Sequence, residues 1–319
     1  MPWRTVQRQN FTRIDDLLNF LEMSEPLRAE VWQKPRFPLN LPLRLARKIA
    51  KNTLNDPILR QFLPLKEEAI KTPGFMIDPV ADATFRKANK LLVKYKERAL
   101  LATTSACAMN CRFCFRQNFD YATDTKGFEE ELSLIAEDPS LSEIILSGGD
   151  PLSLSNDVLK ALINDLSAIP HIKLLRFHSR FPIGIPERID TEFLDILKNT
   201  RLQPIFILHS NHPQELDDDI FTALNKLQIL NIPILNQTVL LKGVNDDVET
   251  LKELMLKLVC HGIIPYYLHQ LDKVQGTAHF EVPQEKGKSL VQSLRECLPG
   301  YAIPRYVREI PGHPNKTLL

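Results

Sequence analysis

Cys107, Cys111 and Cys114, spaced Cys-x3-Cys-x2-Cys within eight residues, are the side chains whose types and spacing point most directly to chemistry. Three thiolates on one short loop can each hold one iron of a cubane and leave the fourth iron without a protein ligand. An open iron can take an exogenous chelator, which a cluster closed by four cysteines does not. The alternative is a zinc knuckle, which wants a fourth thiolate or imidazole at finger-like spacing. None lies nearby in sequence, and a remote ligand stays open. Phe113 and Phe115 would give a cluster a dry shell that tunes its potential. Five cysteines in all make a poor disulfide framework. The other two, Cys260 and Cys297, read as buried small apolar residues on helices.

The elements that must position this loop follow from periodicity. Short apolar runs over 99–104, 142–147, 172–178, 204–209, 233–240 and 263–269 alternate with amphipathic stretches over 156–166, 191–199, 216–230 and 247–259. After the first gap the runs recur roughly every thirty residues, the length of a βαβ unit. Six such units predict an α/β fold, a parallel sheet covered by helices and curled into a complete or partial barrel. The runs end in Ser105-Ala106-Cys107, Ser147-Gly148-Gly149-Asp150, His178-Ser179-Arg180, His209-Ser210-Asn211-His212, Asn236-Gln237 and His269-Gln270 before Asp272. Active sites of parallel barrels lie at these C-terminal strand ends, so the polar groups gather where catalysis is expected. Residues 1–95 read instead as a Pro-punctuated helical region serving packing and assembly. There Thr12 with Asp15 marks a helix start, Ile14, Leu17, Leu18 and Leu21 form an apolar stripe, and a further helix covers 43–51.

The chain has 319 residues, 40 Lys and Arg against 39 Asp and Glu, and 44% hydrophobic residues. That balance fits one large domain or a domain with an appendage, and gives no support for a basic nucleic-acid face. The longest uncharged stretch, 227–241, is 15 residues and is broken by Asn231, Pro233, Asn236 and Gln237, too short to span a bilayer. The N-terminus lacks the apolar core of a signal peptide, so a cytoplasmic location is expected.

The cysteine spacing after a first barrel strand resembles the radical S-adenosylmethionine (SAM) superfamily, and Gly148-Gly149-Asp150 resembles its Gly-Gly-Glu motif. Further segments narrow the resemblance to the lysine 2,3-aminomutases: Tyr95-Lys96-Glu97-Arg98, Cys111-Arg112-Phe113-Cys114-Phe115-Arg116, Leu146-Ser147-Gly148-Gly149-Asp150-Pro151-Leu152, His209-Ser210-Asn211-His212-Pro213, Asn236-Gln237-Thr238-Val239, Pro265-Tyr266-Tyr267 and Pro311-Gly312-His313-Pro314-Asn315-Lys316. The chain looks most like the short form that makes (R)-β-lysine for modification of translation elongation factor P.

The resemblance implies a partial (β/α)6 barrel over 96–283, a helical region over 1–95, and a C-terminal helix with a cofactor-lysine segment over 284–319. It implies three cofactors: a [4Fe–4S] cluster on Cys107, Cys111 and Cys114, SAM, and pyridoxal 5′-phosphate (PLP). Lys316 would be the Schiff-base lysine for PLP, and Lys94, Tyr95 and Arg98 would hold its phosphate. Gly148, Gly149, Asp150, His209 and Gln237 would meet SAM, with His178, Ser179 and Arg180 as further contacts. Arg116 matches the arginine that clamps the substrate carboxylate, since a planar guanidinium suits a carboxylate pair. Asp272 and Glu309 would pair with the distal ammonium of lysine, Glu309 standing where the family has an aspartate. Two acids in a barrel mouth select a dicationic chain over one with a second carboxylate.

The implied reaction is isomerisation. A 5′-deoxyadenosyl radical takes a β-hydrogen from PLP-bound lysine, and nitrogen migrates from C2 to C3. The implied partners are L-lysine, an external electron donor, and the lysyl-transferring enzyme of elongation factor P, with an oligomer of identical chains left open. Longer family members carry a zinc-binding extension that would start beyond the last residue here. Two rivals stay open on the residues alone: a radical SAM enzyme without PLP, and a non-catalytic iron–sulfur or zinc module docking a translation partner.

Overall fold

The six apolar runs are strands of a single sheet whose neighbours follow chain order. In the computed structural model, which describes residues 1–121 and 127–319, the strands are β1 (Leu91–Tyr95), β2 (Arg98–Thr104), β3 (Glu143–Gly148), β4 (Leu174–Ser179), β5 (Gln203–His209), β6 (Ile234–Val239), β7 (Ile264–His269), β8 (Arg305–Arg308) and β9 (Thr317–Leu318). β2 through β8 pair in parallel, while β1 and β9 lie antiparallel at the two edges. The sheet thus extends beyond the six expected strands, which are β2 to β7.

Each crossover carries a helix: Glu129–Glu137, Asn156–Ala168, Thr191–Lys198, Asp218–Ile229, Val248–Val259 and Gln284–Cys297. Four start on a side chain that accepts an otherwise orphaned N–H, namely Ser155 from Val158, Asp190 from Phe193, Asp217 from Ile220 and Asp247 from Thr250. Burial alternates along β4 and β6, as the two-residue period of a strand requires. Leu175 and Phe177 therefore face the helices, and Arg176 and His178 face the barrel interior.

The N-terminal region shares one hydrophobic core with the barrel: Trp3, Leu17, Leu18, Leu45 and Phe62 belong to the same buried cluster as Leu146 and Phe206. Its helices are shorter than the pattern suggested. The helix carrying the Ile14 stripe runs Ile14–Phe20 with Arg13 as N-cap and no capping side chain, so Thr12 does not start it. The expected helix over 43–51 is reduced to Leu43–Ala46, because the N–H groups of Lys48 and Ile49 turn to the carbonyls three residues back and that of Ala50 goes to the Asp56 carboxylate (3.0 Å). Cys260 and Cys297, expected to be buried, are exposed. They sit at the ends of Val248–Val259 and Gln284–Cys297, past the last buried positions Leu258 and Leu294.

Candidate active site

The cysteine loop leaves the C-terminal end of β2 and is held from two sides. From the N-terminal region, Asn40 donates to Cys107 O (3.2 Å), Asn10 to Ala108 O (2.7 Å), and the N–H of Arg112 to Gln61 O (2.8 Å). The fully buried Arg112 guanidinium pairs with Glu68 and donates to Phe37 O at 2.7 Å. From the barrel, Gly149 N–H donates to Thr104 O (2.7 Å) and Asp150 N–H to Ala106 O (2.8 Å).

Close approach explains the glycine pair. A Cβ on Gly149 would run into the Ala106 carbonyl, and Gly148 holds φ +114° with Thr104 O at 2.8 Å from its missing Cβ. The Asp150 carboxylate is buried and accepts from Leu152 N (3.0 Å), Ser179 Oγ (2.9 Å), Arg180 N (2.8 Å) and Phe181 N (3.0 Å), tying the end of β3 to the end of β4.

Burial raises the pKa of all three thiols; Cys114 and Cys111 add to the shift of Cys107, and Cys111 adds to that of Cys114, which is pushed up to about 11. Arg180 Nη1 lies 2.9 Å from Cys111 Sγ. Among the described residues no group of three or more His, Cys, Asp or Glu side chains converges as on a single metal ion. Three buried thiols on one short loop suit a cubane, whose cysteines each bind a different iron. The donor set therefore fits an iron–sulfur cluster.

Beside the loop, inside the barrel, lies a cavity of about 260 Å³. Lys94, Tyr95, Arg98, Arg116, His209, Gln237, Asp272, Glu309 and Lys316 all line it, although they come from four strands, the loops after β2, β7 and β8, and the chain end. Glu309 is the hub of one wall. It accepts from Tyr95 OH (2.6 Å) and Lys316 Nζ (2.8 Å) and lies 3.3 Å from Lys94 Nζ. Burial pushes its pKa up, but Lys316, Tyr95 and Lys94 outweigh this and hold it at about 2. Desolvation pushes the half-buried Asp272 up to about 6; Lys316 opposes the shift and Glu309 adds to it.

His178, His209 and His269 are held neutral mainly by burial, His209 as low as about 3. His209 Nε2 lies 2.8 Å from Gln237 Nε2. The buried Nε2 atoms of His178 and His269 have no hydrogen-bond partner among the described residues, and both imidazoles line the cavity. Unpaired buried polar atoms beside a primary amine and a group of cations suit a polar ligand such as PLP.

Gly148, Gly149 and Asp150 do not line the cavity. Their backbone meets the cysteine loop, and the Asp150 side chain is spent on fold contacts. Sequence reasoning missed Asp82, Arg176 and Tyr266 as lining residues. Arg176 was discoverable, since a charge inside an apolar strand is costly without a partner; it pairs with Glu143 on β3 (Nε to Oε1 2.9 Å).

A family profile described as "4Fe-4S single cluster domain" matches residues 98–174. The L-lysine 2,3-aminomutase of Haemophilus influenzae is 39% identical over 320 residues, covering 99% of this chain and 95% of that protein. The L-lysine 2,3-aminomutase of Escherichia coli is 40% identical over 322 residues, covering 99% and 94%. Among solved structures, Streptococcus suis SuiB aligns with a TM-score of 0.50 at 12% identity, covering 72% of this chain and 52% of that one. At that identity the likeness concerns the fold.

Proposed function

Because the chain belongs to the L-lysine 2,3-aminomutase family, we propose that it moves the α-amino group of L-lysine from C2 to C3, giving (R)-β-lysine for modification of elongation factor P. The observation that carries this reading is the convergence of Arg116, Asp272 and Lys316, far apart in sequence, on one cavity beside the cysteine loop. When bound, a reduced iron–sulfur cluster with SAM would supply radical chemistry, and PLP would supply a conjugated ring to support nitrogen migration.

The chain's own residues bind, orient and enclose. Cys107, Cys111 and Cys114 would hold the cluster; His209 and Gln237 would meet SAM from the cavity wall, and Gly148, Gly149 and Asp150 from beside the cysteine loop. Lys316 would anchor PLP, with Lys94, Tyr95 and Arg98 toward its phosphate. Arg116 would take the substrate carboxylate in a planar charge-assisted pair. Asp272 and Glu309 would face the distal ammonium, whose charge offsets the desolvation that raises Asp272. The neutral histidines add no charge to repel a dicationic substrate. Enclosure in the barrel holds a radical carbon against one hydrogen and away from water. An external donor would supply the electron. Among the described residues no helix is long and apolar enough to cross a membrane.

The test is anaerobic reconstitution with iron, sulfide and PLP, followed by incubation with L-lysine, SAM and a strong reductant and chiral analysis of the product. Formation of (R)-β-lysine supports the reading. Formation of 5′-deoxyadenosine without β-lysine or bound PLP would favour a radical SAM enzyme of another kind, and no SAM cleavage would favour a non-catalytic module.

A further inference from the structure

We propose that Asp82, contributed by the N-terminal region, is a positioning residue that orients Arg116 toward the carboxylate of the amino-acid substrate. The inference rests on the reading of Arg116 given above and extends it to a residue outside the barrel.

Asp82 opens a single turn, Asp82–Phe85, after Ala81 in the left-handed region at φ 54°. The carboxylate of Asp78 accepts the N–H groups of Asp82 and Ala83, each at 3.0 Å. The backbone of Asp82 is thus fixed by contacts that owe nothing to the cavity. Its side chain, 5% exposed, projects into the cavity wall, where Oδ2 accepts from Arg116 Nε at 2.8 Å and Oδ1 lies 3.4 Å from Lys94 Nζ.

A guanidinium is a rigid plane, so fixing one edge fixes the direction of the other. Asp82 takes the Nε edge of Arg116, Ser147 Oγ takes one Nη1 hydrogen at 3.2 Å, and the Phe115 ring lies 4.8 Å from Cζ. No hydrogen bond runs from Nη2 to a described residue, which leaves the Nη1–Nη2 end to meet a carboxylate. Asp82 also joins the two cations placed at opposite jobs, Arg116 at the substrate carboxylate and Lys94 at the cofactor phosphate.

The experiment compares D82N, D82E and R116K in the reconstituted holoenzyme. It reads kcat and KM for L-lysine, and the inhibition constant of cadaverine, which has lysine's chain and both amines but no carboxylate. Loss of an ordered charged hydrogen bond should raise the lysine KM about tenfold or more in D82N, with cadaverine within about twofold of wild type. D82E should recover part of the loss, and D82N should add little in an R116K background. Should D82N fold poorly, D82E tests the same selectivity with the carboxylate displaced by one methylene. Equal weakening of lysine and cadaverine, an unchanged lysine KM, or a full D82N loss on top of R116K would overturn the assignment. A wild-type enzyme that neither converts lysine nor binds cadaverine would instead overturn the reading of Arg116 beneath it.

Discussion

Lys316 and Glu309 form an ion pair, Nζ to Oε2 2.8 Å, at the seam where the two edges of the sheet approach. Through Tyr95 and Lys94 the same carboxylate reaches β1, so one acid joins the last strand to the first. A carboxylate held at about 2 instead of 4.5 stabilises the fold above the higher value and loses that contribution as pH falls toward the lower one. In cofactor-free protein, Glu309→Gln is expected to cost roughly 3 kcal/mol near neutral pH and progressively less toward pH 3. Urea unfolding at several pH values checks this; a cost that stays constant with pH would refute it.

Asp272 carries the opposite sign. Its pKa lies at about 6 against an ordinary 3.8, so ionising it works against the folded state as pH rises between these values. Asp272→Asn should therefore gain stability over wild type by roughly 2–3 kcal/mol on going from pH 4 to pH 8, while losing affinity for lysine. Melting temperatures of the cofactor-free pair across that range test the first part. A pH-independent difference between the two would count against it.

Gly149→Ala introduces a methyl group against the carbonyl of Ala106, a backbone atom with little room to yield. Overpacking of this kind costs about 1–3 kcal/mol or displaces its neighbour, and here the neighbour is the segment entering the cysteine loop. The variant should incorporate markedly less iron on reconstitution while still binding PLP at the far wall. Iron content equal to wild type would show that the contact is slack.

Much of this architecture is legible in the sequence because parallel strands buried on both faces read as apolar runs. β3 and β5 show this, with the successive residues Ile144, Ile145 and Leu146, and Phe206, Ile207 and Leu208, all buried. β8 is invisible by the same logic: Arg305-Tyr306-Val307-Arg308 has two buried residues between two arginines. β9, with two residues, exists only through its pairing with β8. The site was legible where the chemistry needs a rare residue at a fixed spacing, as in the cysteine loop, or a recognisable segment, as around Lys316. Asp82 gave no local signal, being one acid in a polar loop whose meaning comes from Arg116, 34 positions away. The helix-end cysteines were misjudged because side-chain type suggests burial, whereas exposure is set by where each helix stops.

Asp150 tests whether the loop after β3 serves the cluster through the fold. Its carboxylate satisfies three buried backbone N–H groups, of Leu152, Arg180 and Phe181, together with the Ser179 hydroxyl. Arg180, positioned in this way, reaches Cys111 Sγ at 2.9 Å and Gln61 Oε1 at 2.7 Å. Asp150→Ala leaves those donors buried and unpaired, at a cost on the order of 3 kcal/mol or more. The loss should appear first as failure to retain iron, since the arginine beside Cys111 loses its anchor, and PLP binding should outlast it because Asp150 does not line the cavity. Asp150→Asn keeps one acceptor oxygen and should fall between the two. Parallel titrations of iron retention and PLP absorbance against urea separate these outcomes. Simultaneous loss of both signals at one urea concentration in Asp150→Ala would mean that the residue supports the whole barrel and has no separate part in holding the loop.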